Sequence, residues 1–109
     1  MDLLQPQPFS IHVLPREGPI VRVRVIGALD ICTAPELERT LAQELEPGIQ
    51  LRLDLSALWF IDSTGLRAIA VAAHNAHSGG GILTLESPLP HQARRIIEIA
   101  GLQRLFHLE

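Results

Sequence analysis

The spacing of apolar residues changes repeatedly along this 109-residue chain, and this change is what most constrains its fold. In IVRVRVIG (20–27) and QLRLDLS (50–56), valine or leucine stands at every second position, which is typical of a strand with one covered face. Between these stretches, Leu37, Leu41 and Leu45 recur at every fourth position, as on one face of a helix. Strands that alternate with helices favour a mostly parallel sheet with helices packed against it.

Proline and glycine residues divide the chain into short elements. Residues 1–8 contain Pro6 and Pro8 and are predicted to form a loose arm before one domain over residues 9–109. The domain begins with a hairpin made of the strands FSIHVLP and IVRVRVIG. Later strands are predicted at QLRLDLS and ILTLE, and the ending RLFHLE is predicted as a last short strand. The order is then β-β-α-β-α-β-α-β, a single α/β domain with a mixed, mostly parallel sheet covered by helices.

Three helices are predicted between these strands. Thr33 and Glu36 fit a capping box at the start of the first helix, and a Pro-Gly pair ends it. The second helix is predicted from about Thr64 to His77, before a run of three glycines. The third is predicted over HQARRIIEIAGL, with Gly101 as its C-terminal stop.

Composition narrows the classes of function. The net charge is −3 with no basic cluster, which gives nucleic-acid binding little support. Cys32 is the only cysteine, so no internal disulfide can form, and we interpret it as a small buried residue. No Cys/His spacing suggests a metal site, and no stretch resembles a signal peptide or reaches membrane-spanning length. We therefore expect a cytoplasmic domain with no cofactor, metal or membrane insertion.

A polar break interrupts the apolar sequence WFIDSTGLRAIAVAAHNAH (59–77). Asp62, Ser63, Thr64 and Gly65 stand where a strand and a short connection end and a helix begins, and such junctions gather ligand and partner sites in α/β folds. Asp and Ser are also preferred N-caps, so one interpretation is that Asp62 or Ser63 merely caps the helix. Thr64 is interpreted as a first-turn residue and only secondarily as an alternative phosphoacceptor.

A catalytic serine is the weaker alternative. The Gly-x-Ser-x-Gly elbow is absent, because Phe60 and Ile61 precede the Asp-Ser pair. His74 and His77 share the predicted helix but lie about 15 Å or more from Ser63, beyond the range of proton transfer. The glycine run after the helix lacks the lysine and serine or threonine of a phosphate-binding loop. We therefore expect no enzymatic activity.

The stretch LRLDLSALWFIDSTGLRAIAVA resembles the signature of the STAS family, the bacterial anti-sigma factor antagonists. That signature is an apolar strand with Asp-Leu-Ser, a short apolar link, and Asp-Ser-Ser/Thr-Gly-Leu. GALDICTAPEL resembles a second family motif, Gly-x-Leu-Asp followed by a capped helix, and GLQRLFHLE resembles the family's ending. The resemblance extends from about Phe9 to Leu108 and implies the STAS fold.

In the family, the serine after the aspartate is the phosphorylation site, and the resemblance places it at Ser63. It implies that an anti-sigma factor, itself a serine protein kinase, is captured by the unphosphorylated protein and released after it phosphorylates that serine. A phosphatase then resets the cycle. The implied switch surface consists of Asp30, Asp62, Thr64, Gly65 and Arg67. The alternative is a STAS-like subunit of a lipid-transport or stress-signalling complex.

Two interpretations stay open for several of these residues. Asp62 caps the helix or orients the Ser63 hydroxyl in the site of the kinase. Gly65 keeps the site uncrowded or is a plain helix-start glycine. Arg67 stands where the family often has a small residue, and it tunes partner choice or is simply solvated. Trp59, with the phenylalanine after it, is interpreted as a core residue, with a partner surface as the alternative.

Overall fold

The computed structural model describes residues 7–108, and its elements follow the predicted order as far as the third helix. The strands are β1 (Ser10–Val13), β2 (Ile20–Leu29), β3 (Gln50–Ile61) and β4 (Ile82–Leu85), and the helices are α1 (Ala34–Glu44), α2 (Ser63–Ser78) and α3 (His91–Ala100). The predicted arm over residues 1–8 lies mostly outside the described residues and stays a prediction. None of these helices is long and apolar enough to span a bilayer.

The four strands form one sheet in the order β1-β2-β3-β4. β1 pairs antiparallel with β2, which confirms the N-terminal hairpin, and β2-β3 and β3-β4 are parallel pairs joined through α1 and α2. The predicted fold class, a mixed and mostly parallel α/β sheet, is confirmed. Because parallel crossovers are right-handed and the strand order runs in one direction, α1 and α2 cover the same face of the sheet.

The core lies between that face and the helices. The alternating valines of β2 and leucines of β3 are fully or almost fully buried, as their spacing predicts. The apolar stripe of α1 packs on them because its leucines recur once per helical turn. The largest fully buried side chains include Leu29, Leu37, Leu41, Leu51, Leu53, Leu55, Ile61, Ile69, Ile97 and Phe106.

The opposite face of the sheet is open and carries charged residues. The guanidinium Nε of Arg24 donates to Oδ2 of Asp54 at 3.1 Å, and Nε of Arg22 lies 3.1 Å from Oε1 of Glu86. Burial by itself would raise the pKa of Asp54. Hydrogen bonds from the Ser56 hydroxyl and backbone N–H, together with Arg24, outweigh that effect and hold the pKa below its usual 3.8.

β3 is longer than predicted and contains two bulges. Arg24 pairs with Asp54, 30 positions later, whereas Leu29 at the end of β2 pairs with Ile61, 32 positions later. The register between β2 and β3 therefore shifts twice, by one residue each time. Each shift adds one residue to β3, and each bulge turns the following side chains by one position. The stretch that the sequence suggested as a separate apolar link, residues 57–61, is therefore the end of the strand.

The predicted last strand at RLFHLE is wrong within the described residues. The chain after α3 closes successive turns, in which the N–H of Phe106 donates to the carbonyl of Leu102 and the N–H of Leu108 to that of Gln103. These local bonds satisfy the backbone without a sheet partner. Phe106 is only 1% exposed, so the segment seals the core as a coil.

The predicted capping box at Thr33 and Glu36 is also wrong. Thr33 is the N-cap of α1, but its side chain makes no hydrogen bond to the first turn. Its hydroxyl donates to the carbonyl of Ala28 at 2.8 Å and accepts from the N–H of Asp30 at 3.0 Å. The hydroxyl therefore ties the start of α1 back to the end of β2.

Candidate functional site

The candidate site lies where the parallel strands β2 and β3 end side by side. Leu29 and Ile61 are paired, and the N–H of Asp62 donates to the carbonyl of Leu29 at 3.3 Å. Asp30 and Asp62 each follow one member of this pair. The loop into α1 and the first turn of α2 are thus neighbours at one edge of the sheet, which is where ligands and partners meet α/β folds.

Asp62, and not Ser63, caps α2. Its backbone is extended, and its Oδ1 accepts a hydrogen bond from the N–H of Gly65 at 2.9 Å. Ser63 is the first residue of the helix and is exposed. Within residues 7–108 its hydroxyl has no hydrogen-bond partner, so an incoming group can reach it without breaking an existing contact.

Gly65 faces the protein interior. A Cβ atom at this position would lie 2.6 Å from the carbonyl oxygen of Leu29 and 2.7 Å from its Cγ. Only glycine allows the first turn of α2 to approach the end of β2 this closely. A glycine is therefore required here because the first turn of α2 packs closely against β2, and not because the surface around Ser63 must stay uncrowded.

The loop after β2 is held by the carboxylate of Asp30. Its Oδ1 accepts from the N–H of Cys32 at 2.9 Å and from the N–H of Thr33 at 3.2 Å. This turn leaves Ile31 72% exposed. Cys32 is exposed as well, so its interpretation as a buried residue is wrong, because the turn carries both side chains out of the core.

Residues further along α2 extend the exposed surface. Thr64 and Arg67 are both exposed, and Arg67 lies four residues after Ser63, on the same side of the helix. The first turn of α2 contains no acidic residue, and its free N–H groups and dipole favour an anion. Within residues 7–108, no group of three His, Cys, Asp or Glu side chains is placed to hold a metal ion.

A sequence model described as the STAS domain matches residues 13–109. The chain belongs to the STAS domain family. The match covers β2, β3, α1 and α2, and therefore both loops of the candidate site.

Three relatives of this STAS domain have informative names. It is 31% identical over 88 residues to the anti-sigma-B factor antagonist of Bacillus subtilis, covering 81% of this chain and 80% of that protein. It is 30% identical over 101 residues to the protein of the same name in Listeria monocytogenes, covering 92% and 88%. The crystal structure of an anti-sigma factor antagonist from Mycobacterium paratuberculosis is similar in fold, with a TM-score of 0.73 and 30% identity over 95% of this chain and 89% of that one.

Two exposed apolar residues of the STAS domain, Trp59 and Ile31, lie within three residues of the site aspartates in sequence. Trp59 is 56% exposed, so its interpretation as a core residue is wrong. It has no partner position on β2 because it lies at the second bulge, and its indole N–H donates to the carbonyl of Gln7 at 3.3 Å. Phe60 beside it is half-buried. No sequence signal marks this bulge, whereas the turn propensity of Asp30 could have indicated that Ile31 is exposed.

Proposed function

We propose that this protein is an anti-sigma factor antagonist, which in its unphosphorylated form binds an anti-sigma factor and so frees a sigma factor. The names of its STAS relatives support this assignment. The single observation that carries it is the exposed hydroxyl of Ser63, directly after the cap residue Asp62 and without a hydrogen-bond partner among residues 7–108. An exposed hydroxyl that is hydrogen-bonded to no base among the described residues suits a residue that receives a phosphate, rather than one that attacks a substrate.

The switch we propose is phosphorylation of Ser63 by the anti-sigma factor, acting as a serine protein kinase. A phosphate adds about −1.5 to −2 charges and three acceptor oxygens. At the first position of α2, the helix dipole and the free N–H groups accommodate this charge. On the outer surface, however, it adds to the carboxylates of Asp30 and Asp62. A partner shaped for the neutral serine must desolvate this charge, and a penalty of ~4 kcal/mol weakens binding about a thousandfold.

The remaining roles in the cycle belong to other proteins. A phosphatase removes the phosphate and restores binding. The STAS domain itself is a binding module in this proposal, without catalytic activity of its own, and it works in the cytoplasm, where sigma factors act. Asp62 and Gly65 hold Ser63 in place, while Asp30, Thr64 and Arg67 form the surrounding contact surface.

The test compares the wild type with Ser63→Ala, Ser63→Asp and the matched control Ser78→Ala, an exposed serine at the other end of α2. Each variant is used to retain proteins from lysate of the source cells, and the retained anti-sigma factor is then purified for calorimetry and for phosphorylation with ATP. We expect wild type, Ser63→Ala and Ser78→Ala to bind, Ser63→Asp to bind weakly, and mass spectrometry to locate phosphate on Ser63 alone.

Phosphate on Thr64, Ser56 or Ser78 would contradict the assignment of the site. Equal binding of one partner by wild type and Ser63→Asp, with no phosphorylation, would favour the alternative of a STAS-like subunit in a transport or stress-signalling complex. Turnover of ATP or an ester by the pure protein, absent from Ser63→Ala, would contradict its role as a binding module.

A further inference from the structure

A second concave surface lies between α1 and α2, beyond the first turn that carries Ser63. This interhelical groove has a cavity volume of about 490 Å³, within the range of ligand and peptide sites. It exists because the facing residues of α2 are too small to fill the space between the helices. The apolar part of its lining includes Leu45, Pro47, Ala68, Val71, Ala72 and Ala76.

The outer side of α2 lacks the charges that keep a surface helix solvated. Within α2, Arg67 is the only Lys, Arg, Asp or Glu, and Val71 is 48% exposed at the groove. The helix is thus apolar on its buried side and nearly uncharged on the side that lines the groove. An apolar concave surface of this kind is typical of a docking site.

The opposite wall of the groove is acidic. Glu38 lies on α1 and Glu46 just after it, and both line the groove. The ion pairs within residues 7–108 are those of Arg22 and Arg24 on the open sheet face, so neither glutamate is paired there. From Glu38 to the cap residue Leu45 the helix rises about 10 Å, and Glu46 follows in extended chain, so the two glutamates start from backbone positions about 10 Å or more apart along the wall.

We propose that this groove binds a basic amphipathic helix of a partner protein. The floor from Ala68 to Gly79 is about 16 Å long, or three helical turns, which matches a short helix laid along it. Two glutamates whose backbone positions are about 10 Å or more apart suit two cationic groups rather than one, such as Lys or Arg residues seven or eight positions apart on one helix. Apolar side chains between those residues would fill the space above the alanines.

The groove and Ser63 use different parts of α2, so this inference does not depend on the phosphorylation switch. A partner helix bound over Ala68–Gly79 leaves the first turn of α2 uncovered. The groove is therefore a second contact surface, which either extends the interface with one partner or holds a different one.

The experiment uses a phage-displayed library of amphipathic peptides of about 14 residues, with apolar residues at helical spacing and flanking positions randomised among Lys, Glu and Ser. The library is selected against the full chain, and the strongest peptide is titrated by NMR and calorimetry. We expect enrichment of Lys at two positions seven or eight apart. We also expect the largest shift changes at groove residues, and affinity that Ser63→Asp leaves unchanged.

A charge reversal tests the proposed complementarity. In Glu38→Lys/Glu46→Lys the affinity should fall by about tenfold or more, and a peptide with Glu in place of Lys should bind better than the original. The control Glu36→Lys/Glu98→Lys makes the same change of four charge units at exposed positions outside the groove and should leave the affinity nearly unchanged. The proposal is overturned if no peptide binds, if selection shows no preference for Lys, if the shifts map elsewhere, or if the reversal has no more effect than the control.

Discussion

Gly65 shows how one backbone position determines where the candidate phosphoacceptor lies. Its Cα is so close to the end of β2 that any Cβ would meet the carbonyl oxygen and side chain of Leu29. The neighbouring residues Ser63 and Thr64 point outward and have no such restriction. Substitutions in this short segment should therefore differ sharply in their effect on stability.

We predict that Gly65→Ala lowers the free energy of unfolding by about 1–3 kcal/mol, because the helix start must move away from Leu29. Urea denaturation measures this loss. Thr64→Ala, one residue earlier and exposed, is the control and should change stability by less than about 0.5 kcal/mol. Equal stabilities of the two variants would mean that the close approach of α2 to β2 is not required.

Asp54 gives a prediction about pH. Because the pKa of its carboxyl is lowered in the folded state, the ionised form stabilises the fold above the usual pKa of 3.8, and this contribution disappears as pH falls through the folded pKa. We expect wild type to be more stable than Asp54→Asn at neutral pH, with the difference shrinking as pH falls below about 4. Denaturation over a pH series measures it.

The removal of any negative charge also changes stability through general electrostatics, so Glu98→Gln on the exposed face of α3 is the control for Asp54→Asn. As pH falls, the stability difference between wild type and Asp54→Asn should shrink more than the difference between wild type and Glu98→Gln. The reason is that Asp54 accepts hydrogen bonds from Ser56 and Arg24. A difference between wild type and Asp54→Asn that stays constant down to acid pH would contradict the lowered pKa.

At the scale of elements, α2 depends on its cap. Asp62→Ala removes the acceptor for the N–H of Gly65 and should lower the free energy of unfolding by about 1 kcal/mol, whereas Asp62→Asn should retain most of the stability because Asn also caps helices. Thermal unfolding measures both. If Asp62→Asn folds normally but is phosphorylated more slowly, Asp62 also orients Ser63 for the kinase. If Asp62→Ala is as stable as wild type, Asp62 does not stabilise α2 as its cap.

β3 shows which part of an element a sequence pattern can predict. Leu51, Leu53 and Leu55 alternate, and the strand they predict is present. Beyond them the buried residues are three apart, at Leu58 and Ile61, because each bulge inserts one residue. That spacing fits neither a regular strand nor a helix. The sequence therefore predicted where the strand begins but not where it ends, nor that Trp59 is exposed.

The segment after α3 shows a different limit. Leu105 and Phe106 face the core through closely spaced local turns, but the short, partly apolar stretch RLFHLE is also compatible with a short strand. A run of six residues does not distinguish these conformations.

Thr33 shows a third limit. The sequence fits a capping box there, but the Thr33 hydroxyl can equally well donate to the carbonyl of Ala28, and the structure contains this second hydrogen bond.

For the whole molecule, the exposed position of Ser63 outside the core indicates that a phosphate there should change partner binding rather than the fold. The element order and the junction before α2 could be predicted from sequence, because they follow from apolar spacing and N-cap preference, but whether Asp62 or Ser63 is the cap could not. The contact between Gly65 and Leu29 could not be predicted, because it depends on how closely α2 packs on β2.

We predict that phosphorylation of Ser63 leaves the fold and its thermal stability nearly unchanged while affinity for the anti-sigma factor falls steeply. The phosphate lies at an exposed helix start that favours an anion by about 0.3–1 kcal/mol. Thermal unfolding and calorimetry of both forms measure this. A fall of 10 °C or more in the melting temperature, where ~1 kcal/mol corresponds to about 4–8 °C for a domain of this size, would show that the switch acts by unfolding.

Because β3 contains two bulges, the location of Ser63 depends on the number of residues in β3. Between the pairs Arg24–Asp54 and Leu29–Ile61, β3 contains two residues more than β2. Side chains alternate with a period of two, so deleting one residue would turn Ile61 toward the open face and carry Ser63 out of register, while deleting both would restore the alternation. In related sequences this segment should therefore show substitutions, even at the position of Trp59, but no insertions or deletions of a single residue.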